Sequence, residues 1–276
     1  MTLLKPLTIA FLGDVNGAPG RNVLGQRLPD LRAEHEPDVV IANGENIRSG
    51  SGINPDLYGW LRKNGVDAVT LGDHVYRDQR ILPQLEDPAE PIARPANLSS
   101  SSAGKHLIRL DLPGGGELWV VTLLGRIFFP LPANDPFQAI DEVLERIPGK
   151  NPLVFVEVHM EATSEKVALA HHVDGRVAAV VGTHTHVPTA DARVLPGGTA
   201  FITDVGMCGP YDSVIGRNKR AVLQHMRTAM HAPFDMASGG EALCGCIVKV
   251  RRETGLAISI ERVQYDADLS REPFLR

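Results

Sequence analysis

Cysteine is scarce in this 276-residue chain, and its scarcity excludes a disulfide scaffold. Cys208, Cys244 and Cys246 are too few and too clustered for a small secreted framework. They read as buried core thiols, with Cys244 and Cys246 on one face of a strand because strand side chains alternate with period 2. Excess positive charge is also missing. At a formal net charge of -5 the chain carries no general nucleic-acid footprint, so a phosphate ligand must be met by local cations, which bound metals can supply. No run approaches the ~18 apolar residues of a membrane span. The short run Leu7–Leu12 has only Lys5 ahead of it and no small-residue cleavage pattern. It reads as a first strand and not as a signal peptide, which makes the cytoplasm the expected location. A nucleotide phosphate loop is absent too: Gly13, Gly17 and Gly20 do not fit GxGxxG, and no Gly-Lys-Ser/Thr follows them. Without repeats, low-complexity stretches or a separating linker, a single domain over residues 1–276 is expected.

What is present is an ordinary globular composition, 43% hydrophobic and 22% charged. A chain of this length buries a sizeable core unaided. Five apolar, strand-like runs end abruptly in metal-binding residue types. Leu7–Leu12 leads to Asp14, Val39–Ala42 to Glu45-Asn46, and Ala68–Leu71 to Asp73-His74. Leu153–Val158 leads to His159, and Ala178–Val181 to Gly182-Thr183-His184-Thr185-His186. Carboxyl ends of strands in an open α/β sheet line the ligand crevice, so distant residues can converge there. Carboxylate, amide and imidazole together suit a pair of divalent ions and hydrolysis.

The first three clusters lie about 30 residues apart, the size of a βαβ unit. Asn54-Pro55 marks a helix start and Gly65 its end. The helix over Asn22–Glu36 is expected to kink or split at Pro29. Later the pattern changes to hairpins. His106–Leu112 pairs with Glu117–Leu124, Arg193–Leu195 with Ala200–Thr203, and Cys244–Val250 with Leu256–Val263. A helix over Phe137–Ile147 and another capped by Thr163 or Ser164 complete the outline, two packed sheets with helices outside.

His184-Thr185-His186 is the sharpest local signal, since i and i+2 on an extended segment face the same side. His171-His172 sits on a helix, where neighbours diverge, and reads as surface. Asn16 reads as a turn residue.

These segments resemble one subfamily of calcineurin-like metallophosphoesterases, the bacterial 2′,3′-cyclic-nucleotide 2′-phosphodiesterases. The likeness runs through Gly44-Glu45-Asn46, Gly72-Asp73-His74, Arg94-Pro95-Ala96-Asn97, the block from His159 to Lys166, Gly182–His186, and the block from Thr203 to Gly216. The resemblance implies a four-layer α/β/β/α sandwich with a dinuclear site. Asp14, Asn46 and His186 resemble ligands of one metal, and Asp73, His159 and His184 those of the other. Glu45 takes the bridging position, and His74 that of the acid protonating the leaving 2′-oxygen after attack by a bridging hydroxide. Asn97, Asp204 and Tyr211 fall in blocks expected to touch substrate. Iron or manganese is the expected metal pair, with zinc compatible. The expected ligand is a small phosphoester such as a 2′,3′-cyclic nucleotide, and a homo-oligomer is the expected assembly. A phosphomonoesterase, or a low-turnover regulatory protein linked to RNA turnover, would use the same ligands. One departure stands out: the family pattern has Asn where this chain has Asp73.

Overall fold

A computed structural model describes residues 5–267. In chain order its elements begin with β1 (Leu7–Leu12), β2 (Asp14–Val15), α1 (Gly17–His35), β3 (Val39–Asn43), α2 (Pro55–Lys63), β4 (Ala68–Thr70) and α3 (Leu82–Glu86). The middle contains β5 (Ile108–Asp111), β6 (Glu117–Leu124), α4 (Pro136–Arg146), β7 (Leu153–His159), α5 (Thr163–His172) and β8 (Ala179–Thr183). Then come β9 (Arg193–Val194), β10 (Ala200–Ile202), β11 (Met207–Pro210), α6 (Lys219–Thr228), β12 (Glu241–Val250) and β13 (Ala257–Asp266).

Two sheets form. In the first, β1, β3 and β4 are parallel neighbours, and β12 runs antiparallel beside β1. β13 pairs along nearly all of β12, so β1 and β11 succeed one another as its remaining partners. The second sheet has the order β5-β6-β7-β8-β10-β9, parallel in the middle and closed by antiparallel hairpin strands at both edges. All three hairpins read from the sequence are therefore present.

Strand alternation explains the layering. Leu7, Ile9 and Phe11 point into the core between the sheets with Val120, Phe155, Val181 and Val248, and Phe11 stacks on Phe155 at 5.3 Å. Ala10, Leu12, Val40 and Ala42 point the other way, against Val23, Leu24 and Leu28 of α1 and Leu61 of α2. On the far side Val154, Val156 and Val180 meet Ile140 of α4 and Leu169 of α5. The result is the four-layer α/β/β/α arrangement. Cys208, Cys244 and Cys246 are buried free thiols.

Two local expectations need correction. α1 begins at Gly17 and runs unbroken through Pro29. The proline is exposed, so the carbonyl it leaves without an N–H partner lies on the wet face, where water can serve it. α5 takes Ala162 as its N-cap with no side-chain cap bond; neither Thr163 nor Ser164 stands there. α2 conforms, with the Asn54 side chain accepting from Leu57 N–H at 2.9 Å and Gly65 in the left-handed region just past the end.

Candidate metal centre

The carboxyl ends of both sheets face the same spot, and each ligand type enters it from the end of a strand. Asp14 follows β1 after Gly13, and Glu45 stands in the turn after β3, its N–H donating to Asn43 Oδ1 at 3.0 Å. Asp73 follows β4 after Gly72. A Cβ at position 72 would collide with the His159 imidazole and the Glu45 carboxylate, so glycine there lets the two ligands close over the backbone. His159 ends β7, and His184 and His186 follow β8.

Seven predicted ligands converge. His159 Nε2 lies 3.2 Å from Glu45 Oε1, 3.1 Å from Asp73 Oδ1 and 3.1 Å from His184 Nδ1. Ligand atoms of Glu45, Asp73, His159 and His184 all fall within 4.8 Å of one another. Next to them, Asn46 Nδ2 donates to Asp14 Oδ1 and to Glu45 Oε1, both at 3.1 Å, and lies 3.3 Å from His186 Nε2. The backbone N–H of His184 donates to Asp14 Oδ2 at 3.3 Å and ties the two groups together. His74 stands at the edge, its N–H donating to Glu45 Oε2 at 3.1 Å and its Nδ1 2.8 Å from Asn46 Oδ1.

The donor set fits two cations. Asp14 Oδ1, Glu45 Oε1 and His186 Nε2 all crowd one amide nitrogen that has only two hydrogens, an arrangement a cation would satisfy more fully. A half-turn of the Asn46 amide would give its oxygen to that cation and its N–H to His74, leaving the His74 proton on Nε2. Charge supports the same reading. Burial alone would raise the Asp14 carboxyl, but His186 and His159 beside it hold it well below the usual range. Asp73 is lowered likewise against its burial, by the hydrogen bond and charge of His159. Burial and the neighbouring His159 bring His184 down to about 3, so its ring is neutral with a lone pair to offer. His159 and His186 are raised against their own burial, His159 first by Glu45 and His186 first by Asp14. The same carboxylates that favour a proton on these rings favour a cation in its place.

Beneath the ligands lies a layer that sequence reading missed. His159 Nδ1 is 2.9 Å from Thr183 Oγ1, which donates to Glu157 Oε1 at 2.7 Å. Glu157 is fully buried and also accepts from Asn43 Nδ2 at 2.7 Å and Thr122 Oγ1 at 2.9 Å. Such a chain fixes the ring orientation of a metal-binding histidine and leaves Nε2 for the cation. A second support is the buried pair Lys166–Asp204 at 2.9 Å. Lys166 also donates to Thr183 O at 2.7 Å, while Asp204 accepts from Thr185 N–H at 3.2 Å and Thr185 Oγ1 at 2.8 Å. This pair grips the loop in which His184 and His186 adopt φ of 89° and 64°, a conformation that costs energy away from glycine. The signal was present as Lys166 in line with Leu169 and Ala170, three and four positions further along its helix, and as the charged Glu157 inside a strand otherwise apolar up to His159.

The three expected substrate contacts are not free to make one. Asn97 spends its amide on Leu124 O, Asn134 O and Leu124 N–H and is buried. Asp204 is occupied as described, and Tyr211 Oη accepts from Met207 N–H at 2.9 Å and donates to Met207 O at 3.1 Å. All three brace loops around the centre. Asn16 is no plain turn residue: it is buried, with Nδ2 3.4 Å from His186 Nδ1 and Oδ1 without a partner among the described residues. His171 and His172 are exposed on α5, as expected.

Known proteins match this chain over nearly its full length. It is 40% identical over 262 residues to a 2′,3′-cyclic-nucleotide 2′-phosphodiesterase of Bacillus subtilis (strain 168), covering 95% of this chain and 98% of that protein. The structure of a phosphatase from Mycoplasma pneumoniae superposes with a TM-score of 0.89 at 32% identity, over 99% of both chains. That of a hypothetical protein from Thermus thermophilus gives 0.87 at 42% identity, over 95% of this chain and all of that one. A family model described as YmdB-like protein matches residues 10–263. With that span and these identities, the chain belongs to the YmdB-like family.

Proposed function

We propose that this protein is a metal-dependent phosphodiesterase that opens 2′,3′-cyclic nucleotides at the 2′-oxygen. The observation that carries the reading is the meeting of three carboxylates, three imidazoles and one amide at the strand ends of two sheets. Asp14, Asn46 and His186 would hold one cation and Asp73, His159 and His184 the other, with Glu45 placed to serve both. Two divalent cations there would supply Lewis acidity and a nucleophile usable at neutral pH. The chain's own residues do the rest. Gly72, having no Cβ, leaves room for His159 and Glu45 directly over the backbone, and the strained loop after β8 sets both late histidines. His74, at the solvent edge of the ligand cluster, donates the proton that the departing 2′-oxygen needs.

Iron or manganese suits the mixed carboxylate and imidazole set, and zinc is compatible. The protein works in the cytoplasm as one domain per chain, assembled from like copies, on a small phosphoester. No helix among the described residues is long and apolar enough to cross a membrane. The Mycoplasma relative's description as a phosphatase makes a monoester the second substrate class to test.

Purified protein loaded with manganese or iron should convert 2′,3′-cyclic AMP to 3′-AMP, and chelator should abolish the conversion. Release of inorganic phosphate from nucleoside monophosphates, with the cyclic diester untouched, would replace the diesterase reading by the monoesterase one. Absence of turnover on either, with metal bound, would leave a regulatory metal protein.

A further inference from the structure

The metal centre accounts for the phosphate end of a ligand and leaves the remainder without a place. A cavity of about 540 Å³ opens against it. One of its walls is Asp73, a ligand residue, so a group attached to a phosphate at the centre has this cavity as its neighbour. The other walls change character at once. Tyr76, Leu98 and Leu131 are prominent among them, the side chains are mostly apolar, and the polar groups include the Ser102 hydroxyl and the Arg77 guanidinium. The Tyr76 ring is fixed, because its Oη donates to Ala103 O at 2.6 Å. Arg77 has no ion-pair partner among the described residues and is exposed. The larger groove along α6, about 870 Å³, is lined by none of the seven ligand residues.

A cavity of several hundred Å³, with apolar walls and few polar groups, has the size and lining of a small-molecule site. A purely polar ligand would use the Arg77 guanidinium and the serine hydroxyls and leave the apolar walls, which are most of the lining, unused. A flat aromatic group with a polar sugar and phosphate at one end gains on both counts. We infer that this cavity is a nucleobase subsite: it receives the base of a nucleoside cyclic phosphate while the phosphate lies at the metals. The inference rests on the diesterase reading above and deepens it. Because the walls are mostly apolar and offer few donors or acceptors to read base edges, the subsite accepts every base, and it favours purines for their larger face.

The test compares 2′,3′-cyclic AMP with methyl riboside 2′,3′-cyclic phosphate, which presents the same reacting ring and no base. Metal-loaded protein should show a kcat/KM for cyclic AMP about 10- to 100-fold above that for the abasic compound, the range of one base on an aromatic wall. The difference should lie mainly in KM. Ser102→Trp, and independently Ser99→Trp at the rim of the same cavity, fill the space and should bring the ratio to about threefold or less. Equilibrium dialysis with adenosine, which has no phosphate, gives a readout independent of turnover: metal-loaded wild type should retain it and both variants should not. Equal handling of the two substrates by wild type, or variants that keep both the ratio and adenosine, would overturn the subsite. Should neither cyclic phosphate be hydrolysed, the diesterase reading falls. Adenosine then still decides the cavity: retention by wild type alone upholds it, and no retention ends it.

Discussion

His159 and His184 end neighbouring strands and lie 3.1 Å apart, yet their surroundings are opposites. His159 is completely buried, held from behind by Thr183 and Glu157 in a chain of side-chain hydrogen bonds. His184 leaves 26% of its side chain in solvent, lies against the Phe129 ring at 4.8 Å and depends on a left-handed backbone. The same division runs through the whole centre. Asp14, Glu45 and His159 form a floor that belongs to the core, whereas Asp73, His74, His184 and His186 form a rim carried by turns. A floor ligand is oriented by folding itself. A rim side chain is oriented by a loop that needs its own anchor, and for His184 and His186 that anchor is the Lys166–Asp204 pair.

The largest expected effect comes from cutting that anchor. Lys166→Met leaves Asp204 buried without its cation, a loss of about 3–5 kcal/mol, readable as a lower urea midpoint. The double variant Lys166→Met/Asp204→Leu should recover much of that stability, because it removes the stranded charge. It should still bind metal poorly, since Thr185 has lost its carboxylate and nothing holds the His184–His186 segment. Full metal content in the stable double variant would show that the rim keeps its shape without the pair. On the other side of the rim, His74→Gln should slow turnover by about 10² to 10⁴ with metal stoichiometry and folding unchanged. Metal loss in that variant would make His74 a ligand and move it from the edge of the centre into it.

The site residues of floor and rim alike are legible at strand ends, those of the rim most sharply in His184-Thr185-His186, whereas the side chains that support them are not. Strand runs such as Leu7–Leu12 and Val39–Ala42 announce themselves by continuous apolar character, and the polar residues that follow each are conspicuous. Convergence then follows from the parallel order of β1, β3 and β4 and of β7 and β8. What escapes is whatever depends on contacts between sequence-distant residues. Glu157 and Thr183 meet only because β7 and β8 are adjacent. Asn97 looks available because the sequence does not reveal that Leu124 and Asn134 exhaust its amide. Pro29 carries less weight than its residue type suggests, since a proline on the wet face of a long helix costs less than one facing the core.

Thr183→Val sharpens the comparison from below. The substitution nearly keeps the volume and deletes the hydroxyl between His159 and Glu157, so the imidazole loses its orienting partner. Metal affinity should fall about 10- to 100-fold, measured by competition with a chromogenic chelator. The rim variants, by contrast, should alter the loop without touching His159. If Thr183→Val binds metal as well as wild type, packing alone orients the floor histidine.

The smallest change is chemical and not geometric. Asp73 offers the same oxygen as the asparagine it replaces in the resembled pattern, with a negative charge added. It sits on the rim, 13% exposed on its side chain and 3.6 Å from His184, so water screens part of that charge. At about 5 Å and an effective dielectric near 20, one charge acting on a phosphate is worth on the order of 3 kcal/mol before screening. Solvent at the rim should reduce the observable to about tenfold. The charge draws a second cation in and pushes an anionic diester away, so Asp73→Asn should weaken metal binding and lower KM for the diester together. That opposed pair of shifts separates electrostatics from misfolding, which would worsen both. If KM rises with the loss of metal, the carboxylate serves the rim as a structural ligand alone, and its charge has no say in how substrate is received.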